Sequence, residues 1–193
     1  MISQKVTNSY SVFTLDNLYS DEELEMFLNY VKNSSDKNRS FTNSPFKNGK
    51  MIEPIMSTLM YDKIKTSLPD KYVDPKGIEW EFKKSVKYIF YSEIEEGQMF
   101  GIHSDTGSEY NDEDNLYSKF TVLTYLNDDY EGGKTTFFDD NFIQTADIQP
   151  KRGRTLVFDI DLYHKGEMVT KGIKHWIGTE LVCSKRGQDS LIK

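Results

Sequence analysis

Apolar positions change their period partway along this chain. Residues 9–15 (Ser-Tyr-Ser-Val-Phe-Thr-Leu) alternate polar and apolar, the period of a half-buried strand. Ser20 then precedes Asp21, Glu22 and Glu23. A helix N-cap is thus followed by acids in the first turn, with Glu23 at the capping-box position. Leu24, Phe27, Leu28 and Val31 follow at helical spacing and predict a helix over 21–33. Residues 34–50 are rich in Ser, Asn, Lys, Gly and Pro and read as a loop. A second helix is predicted over 51–67, with Ile55, Leu59, Met60 and Ile64 as its apolar stripe and Leu68-Pro69 ending it.

From residue 78 onward the pattern is that of strands, predicted over 85–94, 119–127, 134–138, 142–148, 154–159 and 174–183. Each is rich in β-branched or aromatic residues. Glu96-Gly97, the stretch from Asp128 to Gly133, Pro150 to Gly153, and Gly172 mark the turns between them. Helices followed by many short strands imply an α+β chain, mainly β, with helices packed on a sandwich or barrel. A length of 193 residues suits one domain over 1–193, with 1–77 a strand and supporting helices and 78–185 the β core.

Composition narrows the function. Hydrophobic residues make up 37% and aromatics 13% of the chain, enough for a sizeable core. A net charge of −7 disfavours nucleic acid as a partner, since phosphate backbones repel it. No apolar run is long enough for a membrane span, and the N-terminus lacks a signal-peptide core. One cysteine, Cys183, in an apolar run, reads as a buried inert thiol and allows no intrachain disulfide. The expectation is a soluble cytoplasmic protein.

The chain has three histidines, His103, His164 and His175. Asp105 follows His103 by two, and in an extended segment both side chains share a face and can reach one ion. A third ligand from a distant strand would complete a facial triad with open positions, and His164, after the run Thr155–Asp159, can supply it. The mixed ligand set favours Fe(II) over structural zinc, which prefers thiolates in a closed tetrahedron. By itself His-x-Asp also occurs by chance.

The surrounding residues are more specific. Ile94 to Asp105 carries Gly97-Gln98, Phe100 three residues after the glycine, and then His103-Ser104-Asp105. Thr124 to Phe138 contains Tyr125-Leu126-Asn127 and Glu131-Gly132-Gly133. Pro150 to Phe158 holds Pro-x-x-Gly-x-Thr-Leu-Val-Phe. Tyr163 to Glu167 holds His164-Lys165-Gly166, and Gly172 to Trp176 holds Gly-Ile-Lys-His-Trp. These five ordered segments resemble the prolyl-4-hydroxylase-like branch of the Fe(II)- and 2-oxoglutarate-dependent dioxygenases.

That resemblance implies a double-stranded β-helix, a cupin-like jelly-roll with N-terminal helices on one sheet. It implies Fe(II) on His103, Asp105 and His164, 2-oxoglutarate and O2 as co-substrates, and ascorbate as reductant. Lys174, ten residues after His164, has the family's spacing for the group that grips the far carboxylate of 2-oxoglutarate. Family members often carry a tyrosine where this chain has Ile94, so another hydroxyl, Tyr125 or Tyr88, is a candidate for that contact. Trp176 shares the face of Lys174 and lines the pocket or packs the core, whereas His175 points the other way. The carboxylate at 105 favours hydroxylation over halogenation, because related halogenases lack it.

The implied activity is hydroxylation of a prolyl, peptidyl or small-molecule substrate, coupled to conversion of 2-oxoglutarate to succinate. The alternatives are a non-catalytic jelly-roll that uses the pocket for ligand binding, and a zinc hydrolase on the same triad. Two further segments stay open. The acids Asp105, Glu109, Asp112, Glu113 and Asp114 form a substrate-attracting rim or a solvated loop. Residues 36–50, with Phe41 and Phe46, form a lid or dock on the core.

Overall fold

The structure, a computed structural model, describes residues 2–6, 11–35, 47–108, 110–111 and 114–186. In chain order the elements are β1 (Ile2–Val6), β2 (Ser11–Leu15), α1 (Asp21–Ser35), β3 (Lys47–Ile52), α2 (Pro54–Lys65) and β4 (Tyr72–Val73). There follow β5 (Glu79–Ser85), β6 (Tyr88–Glu95), β7 (Phe100–His103), β8 (Tyr110–Asn111), β9 (Leu116–Tyr125) and β10 (Glu131–Gly132). The chain continues with β11 (Thr135–Phe138), β12 (Gln144–Ile148), β13 (Thr155–Asp159), β14 (His164–Gly166), β15 (Val169–Lys171) and β16 (Ile173–Lys185).

The larger sheet runs β1-β2-β13-β9-β16-β5-β4; β6 also pairs with β16 and β3, and β8 pairs with β9. The smaller sheet has the order β12-β11-β14-β7, and β10 and β15 form a separate two-stranded ribbon. All the pairings are antiparallel. Leu123, Tyr125, Leu156 and Phe158 of the larger sheet pack with Phe137, Ala146 and Ile148 of the smaller one, so the two sheets face each other across one core. The other face of the larger sheet is covered by the helices: Leu24, Phe27 and Val31 of α1 and Met60 and Ile64 of α2 bury against Ile89, Tyr91, Ile177 and Leu181.

Alternation along the central strands fixes which residues face the interior. Trp176 lies opposite Ser92 on one side and Tyr125 on the other, Lys174 lies opposite Ile94, and Glu180 lies opposite Thr121. The row through Lys174, Trp176, Gly178 and Glu180 therefore points between the sheets, while Ile177 and Leu181 point at the helices. Gly178 is required by packing: a Cβ there would collide with the Val122 carbonyl oxygen of the neighbouring strand.

The capping box at α1 forms as expected. Ser20 N–H donates to Glu23 Oε2 at 2.8 Å, and Glu23 N–H donates to Ser20 Oγ at 3.3 Å. The segment 34–50 does not stay a loop: α1 continues to Ser35 and β3 begins at Lys47, hydrogen-bonded along β6 from Lys47↔Glu93 to Ile52↔Tyr88. Residues 36–46, with Phe41 and Phe46, lie outside the described residues. The second helix is shorter than expected, and Ile55 in its first turn is 86% exposed rather than part of the buried stripe. Strand β5 precedes the expected 85–94 strand, which itself starts at Tyr88.

Candidate metal and co-substrate centre

Strands β7 and β14 of the smaller sheet put two histidines side by side. His103 and His164 are direct cross-strand partners, with ring centroids 4.3 Å apart. Asp105 lies two residues past the end of β7, where its backbone N–H donates to Ile160 O at 3.0 Å. Its Oδ1 is 3.4 Å from His103 Nε2 and 3.9 Å from His164 Nε2. Ligand atoms of the three residues all lie within 4.8 Å of one another, and among the described residues this is the group able to hold a metal ion.

The hydrogen bonds behind the rings select the form that binds metal. His103 Nδ1 is 2.8 Å from Gly101 O, and His164 Nδ1 is 3.0 Å from Leu162 O. A carbonyl only accepts, so each Nδ1 carries the proton and each Nε2 offers its lone pair to the space facing Asp105. Phe100 stacks on His103 at 4.3 Å, and Phe158 meets His164 edge-on at 4.8 Å, which fixes both ring planes. Burial pulls the His103 imidazole down, but the Asp105 carboxylate and the Gly101 carbonyl outweigh it and raise the group. Burial works against the Asp105 carboxylate too, yet the imidazoles and Thr121 lower it; His164, buried deeper, is lowered by desolvation. Two neutral nitrogens and one carboxylate oxygen converging on one point fit a divalent cation with open positions.

A cavity of about 90 Å3 adjoins the triad and is walled by Ile94, Thr135, His164, Lys174 and Trp176 among others. Lys174 is only 2% exposed, and its Nζ donates to Gly133 O at 2.7 Å. Among the described residues no carboxylate contributes to its electrostatics, and burial lowers its pKa to about 7. An ammonium group buried this way fits an anionic ligand that enters the cavity. The glycines at 132 and 133 carry φ of 78° and 65°, the left-handed region, which brings the Gly133 carbonyl to the lysine.

The structure brings His103, Asp105, His164, Lys174 and Trp176 to this cavity. Tyr125 lies behind it: the Lys174 ammonium sits 5.1 Å from the centre of its ring, and its hydroxyl bonds Thr135 Oγ1 at 2.6 Å. Thr135, not Tyr125, presents a hydroxyl to the cavity wall. Tyr88 is elsewhere; it faces Lys50, whose Nζ lies 4.0 Å from its ring centre, and it walls neither this cavity nor the next. His175 points to the opposite face, with Nε2 3.3 Å from Glu93 Oε2. Cys183 is fully buried and desolvation pushes its thiol up, as an inert group requires. Of the acids after the metal motif, Asp114 is exposed and accepts from Asn111 Nδ2 at 2.6 Å; Glu109, Asp112 and Glu113 lie outside the described residues.

Two contributors escaped sequence reasoning. Thr121 and Thr135 reach the cavity, but a threonine in a strand is expected on propensity alone, so nothing in the sequence marked them. A second cavity of about 340 Å3 shares Phe100, His103, Asp105, Thr121 and Trp176 with the first. It extends along β3 and β6, past Asn48, Phe90 and Ser92, whose buried hydroxyl has no hydrogen-bond partner among the described residues.

Among the described residues no helix is long and apolar enough to cross a membrane. No curated protein is a significant match to the sequence. Solved structures match closely in fold. A viral collagen prolyl hydroxylase from Paramecium Bursaria Chlorella virus-1, in complex with 2-oxoglutarate, superposes with a TM-score of 0.59 at 19% identity, over 90% of this chain and 95% of that one. A Pseudomonas putida prolyl-4-hydroxylase gives 0.59 at 12% identity, over 91% and 93%. A Trichoplax adhaerens prolyl hydroxylase, in complex with a peptide of the hypoxia inducible factor oxygen degradation domain, gives 0.61 at 16% identity, over 91% and 84%. The fold is thus the expected double-stranded β-helix. Residues 86–180, which contain the triad and Lys174, match the family model described as the 2OG-Fe(II) oxygenase superfamily. By that match and the shared fold, this chain belongs to the 2OG-Fe(II) oxygenase superfamily, and its cofactors are Fe(II), 2-oxoglutarate and O2.

Proposed function

We propose that the chain hydroxylates a peptidyl, prolyl or small-molecule substrate as one domain over 1–193, with Fe(II) on His103, Asp105 and His164 and 2-oxoglutarate anchored by Lys174. The observation that carries this reading is the convergence of three metal-competent side chains and one buried ammonium group on a single cavity. When bound, Fe(II) with 2-oxoglutarate and O2 supplies the oxidising chemistry, in which 2-oxoglutarate becomes succinate and carbon dioxide as substrate is hydroxylated.

The residues of the chain do the rest. The Gly101 and Leu162 carbonyls hold both imidazoles in the ligating tautomer. Lys174 offers a point charge to the far carboxylate, and the low-dielectric wall of Ile94 and Trp176 strengthens that attraction. The 340 Å3 cavity is the substrate chamber in this reading: Phe90, Phe100 and Trp176 supply apolar walls and exclude water. The structural relatives were solved with a co-substrate and with a peptide, which supports a peptide as the first substrate class to try. We place the activity in the cytoplasm, a compartment that suits a single buried thiol.

The test is succinate formation from 2-oxoglutarate by the purified chain with Fe(II) and ascorbate, alone and with proline-rich peptides, amino acids and small metabolites. Wild type should form succinate, and His103→Ala should abolish it. A wild type that forms none under any of these conditions would sink the proposal.

A further inference from the structure

The two carboxylate oxygens of Asp105 are treated differently by the fold. Oδ1 faces both imidazoles, 3.4 Å from His103 Nε2 and 3.9 Å from His164 Nε2. Oδ2 accepts a 2.6 Å hydrogen bond from Thr121 Oγ1. That length is typical of a hydroxyl donating to a charged oxygen, the stronger class of hydrogen bond.

Thr121 lies in the middle of β9, on the face between the sheets, with Phe158 opposite it on one neighbouring strand and Glu180 on the other. It walls both the co-substrate cavity and the larger chamber. Valine has the same shape and suits a strand as well, so packing alone leaves the hydroxyl unexplained. Glu180, the nearest other carboxylate in the register, is already engaged by Ser108 N–H at 2.7 Å, Ser108 Oγ at 2.8 Å and Ser118 Oγ at 2.6 Å. The Thr121 hydroxyl is directed to Asp105 instead. With Ser108 tied to Glu180 and Asp105 N–H tied to Ile160 O, the segment after the histidine is held at both ends.

The torsion that turns a carboxylate is broad and nearly two-fold, so an untethered Asp105 could present either oxygen or both. We propose that Thr121 is a positioning residue for the metal: by holding Oδ2 it turns Oδ1 alone toward the ion, so that Asp105 ligates through one oxygen and a further coordination position stays open. The inference rests on the metal-site reading above. Groups that orient metal ligands from behind typically change metal affinity about 10–100-fold when removed.

The experiment is titration of metal-free protein with Mn(II), followed by electron paramagnetic resonance of the free ion, on wild type, Thr121→Val, Thr121→Ser and His103→Ala. The expected result is Mn(II) binding weakened about tenfold or more in Thr121→Val. Thr121→Ser, which keeps the hydroxyl, should stay close to wild type. Melting of the metal-free Thr121→Val protein should remain a single cooperative transition, lowered only by the loss of one hydrogen bond, which shows that the variant folds. Thr121→Val binding Mn(II) as tightly as wild type would overturn the inference, and so would Thr121→Ser as weak as Thr121→Val. In both cases loss of binding in His103→Ala leaves the metal site itself standing. If wild type and His103→Ala bind alike, the metal-site reading and this inference fall together.

Discussion

Lys174 is charged in water and buried in this fold, and the two facts oppose each other. Among the described residues its hydrogen-bond acceptor is the Gly133 carbonyl, and desolvation lowers its pKa from 10.5 to about 7. The sign follows from which state holds the proton. Below pH 7 the lysine is protonated in both the folded and the unfolded chain, and the folded chain bears the full burial cost. Between about pH 7 and 10.5 the folded chain has released the proton and the unfolded chain keeps it, so the contribution of this group to stability rises with pH. A dicarboxylate needs the charged form, so its binding should take up a proton above pH 7. Calorimetry of 2-oxoglutarate binding in buffers of different ionisation enthalpy, with Mn(II) present, should show that uptake. Affinity should fall by up to about tenfold per pH unit above 7. Lys174→Met should abolish 2-oxoglutarate binding while raising the melting temperature of the ligand-free protein at pH 6.5, by roughly 2–4 °C per kcal/mol recovered. A variant that binds as wild type does would exclude Lys174 as the anchor. At this scale the sequence was most legible where a residue type is rare and chemically committed: three histidines, one adjacent carboxylate and a lysine at a fixed spacing. Thr121, Thr135 and the hydroxyl of Ser92 were not legible, because hydroxyl residues in strands have ordinary reasons to be there. The absence of a tyrosine at 94 was visible, but the surroundings of the candidate hydroxyls were not: Tyr125 hydrogen-bonds Thr135, and Tyr88 faces Lys50.

Elements were readable to the degree that their stabilising contacts are local. The start of α1 is set by residues three apart, Ser20 and Glu23, and the structure forms both of their reciprocal hydrogen bonds. Ser20→Ala should cost about 1 kcal/mol, measured as a lower midpoint of chemical denaturation with an unchanged slope; no shift would mean the box contributes nothing. Strand β3 was unreadable because its cause is non-local. Lys47, Asn48, Gly49 and Lys50 have no strand preference, and they become a strand by pairing with β6 at an edge, where polar side chains are tolerated. There Lys47 meets Glu93 at 2.6 Å, and Lys50 donates to Ser108 at 2.7 Å. Ile55 fits the helical stripe by spacing, but Pro54 starts the helix there and its first turn projects into solvent. Strand β7 is short and follows the turn at Gly97, so only the extended character of its His-x-Asp end could be anticipated.

At the scale of the whole molecule, the order in which strands pair was not written in any local pattern. Residues 78 to 88 apart meet in β16 and β6, and the two histidines of the candidate metal site converge because β7 and β14 lie side by side in the smaller sheet. The resemblance in five short motifs carried that topology, not the periodicity. One feature of it sets how the site can move. Strand β16 is 13 residues long, is flanked by β9 on one edge and by β6 and β5 on the other, and serves two compartments at once. Lys174 and Trp176 point into the centre, and Ile177 and Leu181 point into the helix-covered core. The lysine cannot be released without tearing the core apart, so access for small molecules has to come through the surrounding loops, and the floor of the site melts only when everything melts. Amide protons at 174–180 should accordingly exchange with deuterium as slowly as any in the chain, at a free energy equal to that of global unfolding; rapid labelling there would show that the floor breathes on its own.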